Sequence, residues 1–151
     1  MKKELQIILI ILGLCVLACK QTIKEPGTQG ILKIINTLNV SPSYKYLIIL
    51  PGTGCGDCVK TGEEFMQNHI GQSDILFVLT QIESLKMLQN RLGITLKNHQ
   101  NVYIDRDHTL SIMTNNRYYP CIIYLEKGQL KKHEFQSPKN LEAFQRLEGR
   151  L

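Results

Sequence analysis

Two cysteines, Cys55 and Cys58, stand three positions apart just after the run Leu47-Ile48-Ile49-Leu50 and the turn Pro51-Gly52-Thr53-Gly54. In a helix opening at this point, residues at i and i+3 are neighbours on one face, so the two sulfurs lie side by side. The unpaired N–H groups and the positive dipole end of a helix N-terminus favour a thiolate over a thiol. The thiolate is the form of cysteine that attacks disulfides. Cys55 then supplies an attacking sulfur, and Cys58, one turn further in, a sulfur that resolves the mixed disulfide.

This chemistry needs a strand that ends and a helix that begins at the glycine turn. Residues 44–50 are nearly all apolar and predict a central strand covered on both faces. Residues 59–70 suit a helix with Val59, Phe65, Met66 and Ile70 inward, closed by Gly71 in the left-handed conformation. Upstream, Ile31, Ile34, Ile35 and Leu38 have helical spacing. Downstream, 74–79 predicts a second buried strand. Thr80 and Glu83 then match a capping box for a helix through Leu85, Leu88 and Leu92 to Gly93. Residues 101–105 predict a short strand, 110–113 one or two helical turns, and 121–125 and 130–135 two strands joined by a turn at 126–129. Ser137 as cap and Pro138 at the first position predict a last helix with Leu141, Phe144 and Leu147 inward. The alternation predicts an α/β domain, a central mixed β-sheet with helices on both faces.

The N-terminus reads as export machinery. Lys2 and Lys3 precede a largely apolar run over 5–18. The run falls short of the roughly 20 apolar residues of a membrane span and fits a signal peptide. It ends at Val16-Leu17-Ala18-Cys19, which resembles a bacterial lipobox. The resemblance implies removal of residues 1–18, a lipid on Cys19 and a domain held on the periplasmic side of a bacterial membrane. An uncleaved anchor helix is the other reading and gives the same side. Residues 19–30 carry Pro26, Gly27 and Gly30 and predict a flexible tether. Residues 31–151 have the length of one domain.

The 151 residues include 18 Lys+Arg against 13 Asp+Glu, a net charge of +5. The basic residues are scattered, with no run longer than Lys131-Lys132, which argues against a nucleic-acid surface. Cys15 leaves with the signal peptide and Cys19 takes the lipid. Cys55, Cys58 and Cys121 remain, which fits one redox pair and a single thiol rather than a disulfide scaffold. Cys121 follows Pro120 and is expected inside the sheet as a small hydrophobe; the alternative is a third redox thiol close to Cys58. His69, His99, His108 and His133 lack the spacing of a zinc site, so neither a metal nor another cofactor is expected. Glu63, Asp105 and Asp107 read as surface, cap or turn residues.

Taken together, Cys55-Gly56-Asp57-Cys58 after a strand, and Tyr119-Pro120 before the strand at 121–125 with its Lys127-Gly128 turn, resemble the thioredoxin superfamily over roughly residues 31–149. The short strand near 102–105 looks most like the membrane-tethered subgroup that reduces periplasmic disulfides. The resemblance implies a thioredoxin-like fold and thiol–disulfide exchange, with Cys55 exposed and Cys58 more buried. It implies a cis peptide bond at Pro120, leaving the Tyr119 backbone to pair with a substrate strand. The implied partners are client proteins with disulfides, a membrane or periplasmic electron donor, and the membrane itself through Cys19. The chain also departs from the family pattern. Gly54 stands where a Trp is usual, Ile49 where thioredoxins bury an acid, and Glu63 where many members have a helix-kinking proline. Asp57 favours the helix N-terminus but opposes a neighbouring thiolate, two effects of similar size. Two functions of different class follow: a disulfide oxidoreductase, expected to be reductive, and a non-catalytic lipoprotein using the same scaffold to bind.

Overall fold

The computed structural model describes residues 27–110 and 118–151. The signal peptide, Cys15, Cys19 and residues 19–26 of the tether lie outside the described residues, as do 111–113 of the expected short helix. Strand β1 (Tyr46–Pro51) is the middle of the molecule. Its side chains alternate between two cores, as strand geometry requires. Ile48 and Leu50 join Phe65, Met66 and Phe77 on one face, while Leu47 and Ile49 join Ile31, Ile34 and Ile35 on the other. A strand wedged between two cores has no solvent face, which is why its sequence is continuously apolar.

Around β1 lie β2 (Ile75–Thr80), β3 (Val102–Ile104), β4 (Cys121–Glu126) and β5 (Gln129–Phe135). They form a five-stranded sheet in the order β3-β2-β1-β4-β5. β1 pairs parallel with β2 and β2 parallel with β3, whereas β4 runs antiparallel to both β1 and β5. One face carries helix α1 (Thr28–Thr37). The other carries α2 (Gly56–His69), α3 (Leu85–Leu92) and α4 (Ala143–Glu148). The expected α/β class, a mixed sheet with helices on both faces, is thus observed. Lys127 and Gly128 both have positive φ, 52° and 77°, and close the β4–β5 hairpin with the backbone twist such hairpins prefer.

Boundaries differ where a local motif meets a tertiary competitor. α1 begins at Thr28, three residues inside the expected tether, with Gly27 (φ 96°) at its N-cap. The Thr80–Glu83 capping box does not form, because Thr80 stays in β2 opposite Pro51. Ser84 caps α3 instead, its Oγ accepting the Met87 N–H at 3.3 Å. Gly93 (φ 67°) closes α3 as expected. Gly71 is not left-handed: α2 ends at Ile70 in right-handed conformation, and the Gln72 N–H donates to the His69 carbonyl. The last helix does not start at Pro138. Ser137 and Asn140 bond each other's backbone at 3.2 and 2.8 Å, and the helix follows at Ala143. Buried Gln136 holds this corner, donating to the Leu141 carbonyl and accepting the Phe144 N–H. Leu141, expected inward, is 62% exposed, while Phe144 and Leu147 are buried.

Glu134 ties the hairpin to α4. It accepts the Tyr124 hydroxyl at 2.8 Å, Arg146 at 2.6 Å and Asn140 at 3.3 Å. Burial opposes its charge most strongly, but the three donors together outweigh it and hold the carboxyl below its ordinary value. A carboxyl lowered in the folded state contributes stability above its unfolded value, about 4.3, and loses it as pH falls through the folded one. Glu134→Gln should therefore destabilise the protein at pH 7 relative to wild type. The difference should shrink toward about pH 3 in urea-unfolding curves.

Candidate redox site

The turn between β1 and α2 is built from close backbone approaches. At Gly52 a Cβ would meet the Gln81 carbonyl oxygen at 2.5 Å, and the Gly52 N–H donates to Thr80 at 2.7 Å. Gly54 has φ +150°, and a Cβ there would overlap the carbonyl oxygen of Tyr118. Immediately after it, Cys55 takes the N-cap of α2 in extended conformation, with no side-chain cap bond. Its carbonyl accepts the first helical bond, from the Val59 N–H at 2.8 Å. Cys55 therefore stands at the end of α2 that carries the orphan amides of the first turn, with Asp57 in that same turn.

Cys55 is half-buried, while Cys58 is only 1% exposed. The two are joined as a disulfide across a Cα–Cα distance of 5.3 Å. The segment before β4 lies against this pair. The Cys55 N–H donates to the Tyr118 carbonyl at 3.3 Å. Tyr118 is exposed, Tyr119 half-buried and Pro120 buried. Pro120 reaches α2 at Gly62, where a Cβ would lie 3.3 Å from the proline ring and 2.6 Å from Leu50. The structure thus brings Cys55, Cys58 and the Tyr118–Pro120 segment together, although they are some sixty residues apart in sequence.

Two expectations are corrected, for Pro120 and Glu63, and between them the two readings of Cys121 are separated. The Tyr119–Pro120 bond is trans, as are all described peptide bonds. Trans is the favoured form even for X-Pro, by about 0.5–1 kcal/mol. In this form Pro120 also accepts the Gln136 N–H at 2.9 Å, and the segment meets Cys55 through Tyr118 rather than Tyr119. Cys121 is not beside Cys58. It is fully buried opposite Ile49 and packs in the α1-side core, whereas α2 covers the other face. Burial above all, with the Glu134 charge adding to it, pushes its thiol far above the ordinary range. Cys121 is the small hydrophobe expected, and a free one.

Glu63 is not a surface residue. It is 8% exposed and accepts two bonds from Arg91, at 2.7 and 2.6 Å. Such forked pairs are the strong geometry for arginine and carboxylate. The hydrogen bond to Glu63, against some desolvation, raises the Arg91 guanidinium above its ordinary value. The partner lies on α3, 28 positions away, so no local pattern announced the pair. Asp105 is a turn residue as expected but a buried one, accepting from the Thr109 N–H and hydroxyl and the Leu110 N–H. Among the described residues, no three His, Cys, Asp or Glu side chains gather as a metal site would require.

An open groove of about 510 Å³ lies beside the turn that carries Cys55. It is lined by Gly54 and Gly56, either side of Cys55, together with Val59, Glu63, Arg91 and Leu92. No protein-family model, curated protein or solved structure matches the chain.

The two glycines flanking Cys55 should respond oppositely to substitution. Gly54→Ala forces a side chain onto the Tyr118 carbonyl at a backbone angle that L-residues rarely adopt. It should cost about 1–3 kcal/mol of stability by thermal or urea unfolding. At Gly56 a Cβ meets nothing within 4 Å, so Gly56→Ala should be neutral or slightly stabilising.

Proposed function

We propose that the chain is a thiol–disulfide oxidoreductase of thioredoxin-like fold, lipid-anchored through Cys19 on the periplasmic side of a bacterial membrane. One observation carries the reading: a half-exposed cysteine at a helix N-cap, bonded to a buried cysteine one turn in, with the Tyr118–Pro120 backbone laid against it. The strand order, parallel on the β2–β3 side and antiparallel on the β4–β5 side, supports the fold assignment. The Val16–Cys19 pattern after an apolar run supports the anchor.

In the reduced protein the Cys55 thiolate attacks one sulfur of a client cystine. A Cys55–client disulfide forms, the client's S–S bond breaks, and one client sulfur leaves as thiolate. Cys58, deprotonated, then attacks the Cys55 sulfur and expels the second client thiolate. Two electrons pass from the Cys55/Cys58 dithiol to the client, which takes up two protons, and the chain is left oxidised, the state seen here. A periplasmic or membrane dithiol must return the electrons. The helix N-terminus stabilises the Cys55 thiolate both as nucleophile and as leaving group. A client segment approaches Cys55 beside the Tyr118–Pro120 segment, where the Tyr118 side chain is exposed and offers apolar contact.

Cys58→Ser removes the resolving sulfur. It should accumulate mixed disulfides with client proteins on Cys55, released by reductant and seen as shifted bands on non-reducing gels. Cys55→Ser should abolish both these adducts and insulin reduction. Absence of any adduct, with insulin untouched by the wild-type protein, would leave only a binding scaffold. Separately, Cys19→Ser should abolish palmitate labelling and release the protein from the membrane fraction.

A further inference from the structure

The Glu63–Arg91 pair is unexplained by packing. A buried carboxylate on α2 loses its hydration, and a buried ion pair commonly returns no more stability than an apolar pair of the same volume. Yet its location is specific. Val59 and Glu63, one helical turn apart on α2, line the same groove as the two residues flanking Cys55. Arg91 reaches the groove from α3 and keeps its side chain about half exposed, 52%, while Glu63 is at 10%. Buried Val59 and Leu92 are the apolar part of the wall. Charges beside such a wall are screened less than charges in open water.

We propose that Glu63 and Arg91 are positioning residues of the redox site: either charge alone would shift the acidity of the Cys55 thiol, and their forked pairing holds it unshifted. This rests on the redox reading of Cys55, and it names how the site is regulated. A negative charge left alone at Glu63 opposes a thiolate across the groove, and a positive charge left alone at Arg91 favours one. The forked bond fixes the two charges against each other, so the thiol is exposed to neither. The remaining charged groups on this face are Asp57, Lys60 and Glu64 on α2, with Glu83 just ahead of α3. Lys60 and Glu64 lie 3.7 Å apart and balance each other at the surface.

The test is the pH dependence of iodoacetamide alkylation of Cys55 in the reduced full-length protein, read by peptide mass. Glu63→Gln should lower the Cys55 pKa by about half a unit, and Arg91→Gln should raise it by about as much. The double variant should return close to wild type. A merely structural pair would instead give shifts of one sign, or none, and either result overturns the proposal. Arg91→Gln leaves a buried carboxylate unpaired, which destabilises the fold. The comparison of Glu63→Gln with the double variant still isolates Arg91, because neither holds the Glu63 charge, and restoring Arg91 alone must lower the pKa. The readout needs no client. Opposite shifts without client exchange would sink the oxidoreductase reading alone, and exchange without shifts would sink this proposal alone.

Discussion

The backbone of Tyr118 pressed onto Gly54 is the contact on which the site depends. β1 is fixed on both faces by core and on both edges by neighbouring strands, so its end point is rigid. From there the chain has four residues, Gly52 to Cys55, in which to turn into α2. A carbonyl occupying the place of a Cβ leaves glycine as the one residue that fits at 54, and the next amide is then bonded to that same carbonyl. A broad aromatic at this position would be incompatible with such an approach. Glycine at 54, where the thioredoxin pattern that the motif resembles has Trp, is therefore a structural requirement of this turn, which carries the half-exposed Cys55.

The sheet also insulates. Alternation along β4 sends Cys121 into the α1-side core while its neighbour Ile122 joins the α2-side core. The three cysteines of the domain are thereby split into a bonded pair with one half-exposed member, Cys55, and a separate buried thiol, Cys121. A free thiol beside Cys58 would compete for the disulfide by exchange. Burial keeps Cys121 protonated and out of that chemistry. Ile49, registered opposite Cys121, belongs to the same apolar layer. A charged side chain at 49 would be stranded in that layer without a partner.

Much of this was legible in the sequence because it is local. The apolar runs around 46–51, 75–80 and 121–126, the Lys127-Gly128 turn and the helical start at the cysteine pair are each dictated by neighbours within a few residues. What was not legible is long-range. Glu63 looks like a solvated helix residue until Arg91 arrives from another helix. Thr80–Glu83 has the residue types of a capping box, but pairing of Thr80 with β1 claims its backbone first. Ser137-Pro138 has the types of a helix start, yet Asn140 bonds Glu134 and Phe135, which holds the turn open until Ala143. The face on which Cys121 lies follows from register alone, and a shift of one residue would have reversed it.

If Cys55 and Cys58 are a working couple, their disulfide must be reducible at biological potentials. Redox titration of the protein against glutathione or dithiothreitol buffers, with the pair quantified by mass, measures this directly. The proposed function requires a single two-electron transition between about −270 and −120 mV, the span of catalytic dithiol–disulfide couples. A couple more negative than about −300 mV, in the range of structural disulfides, would contradict it.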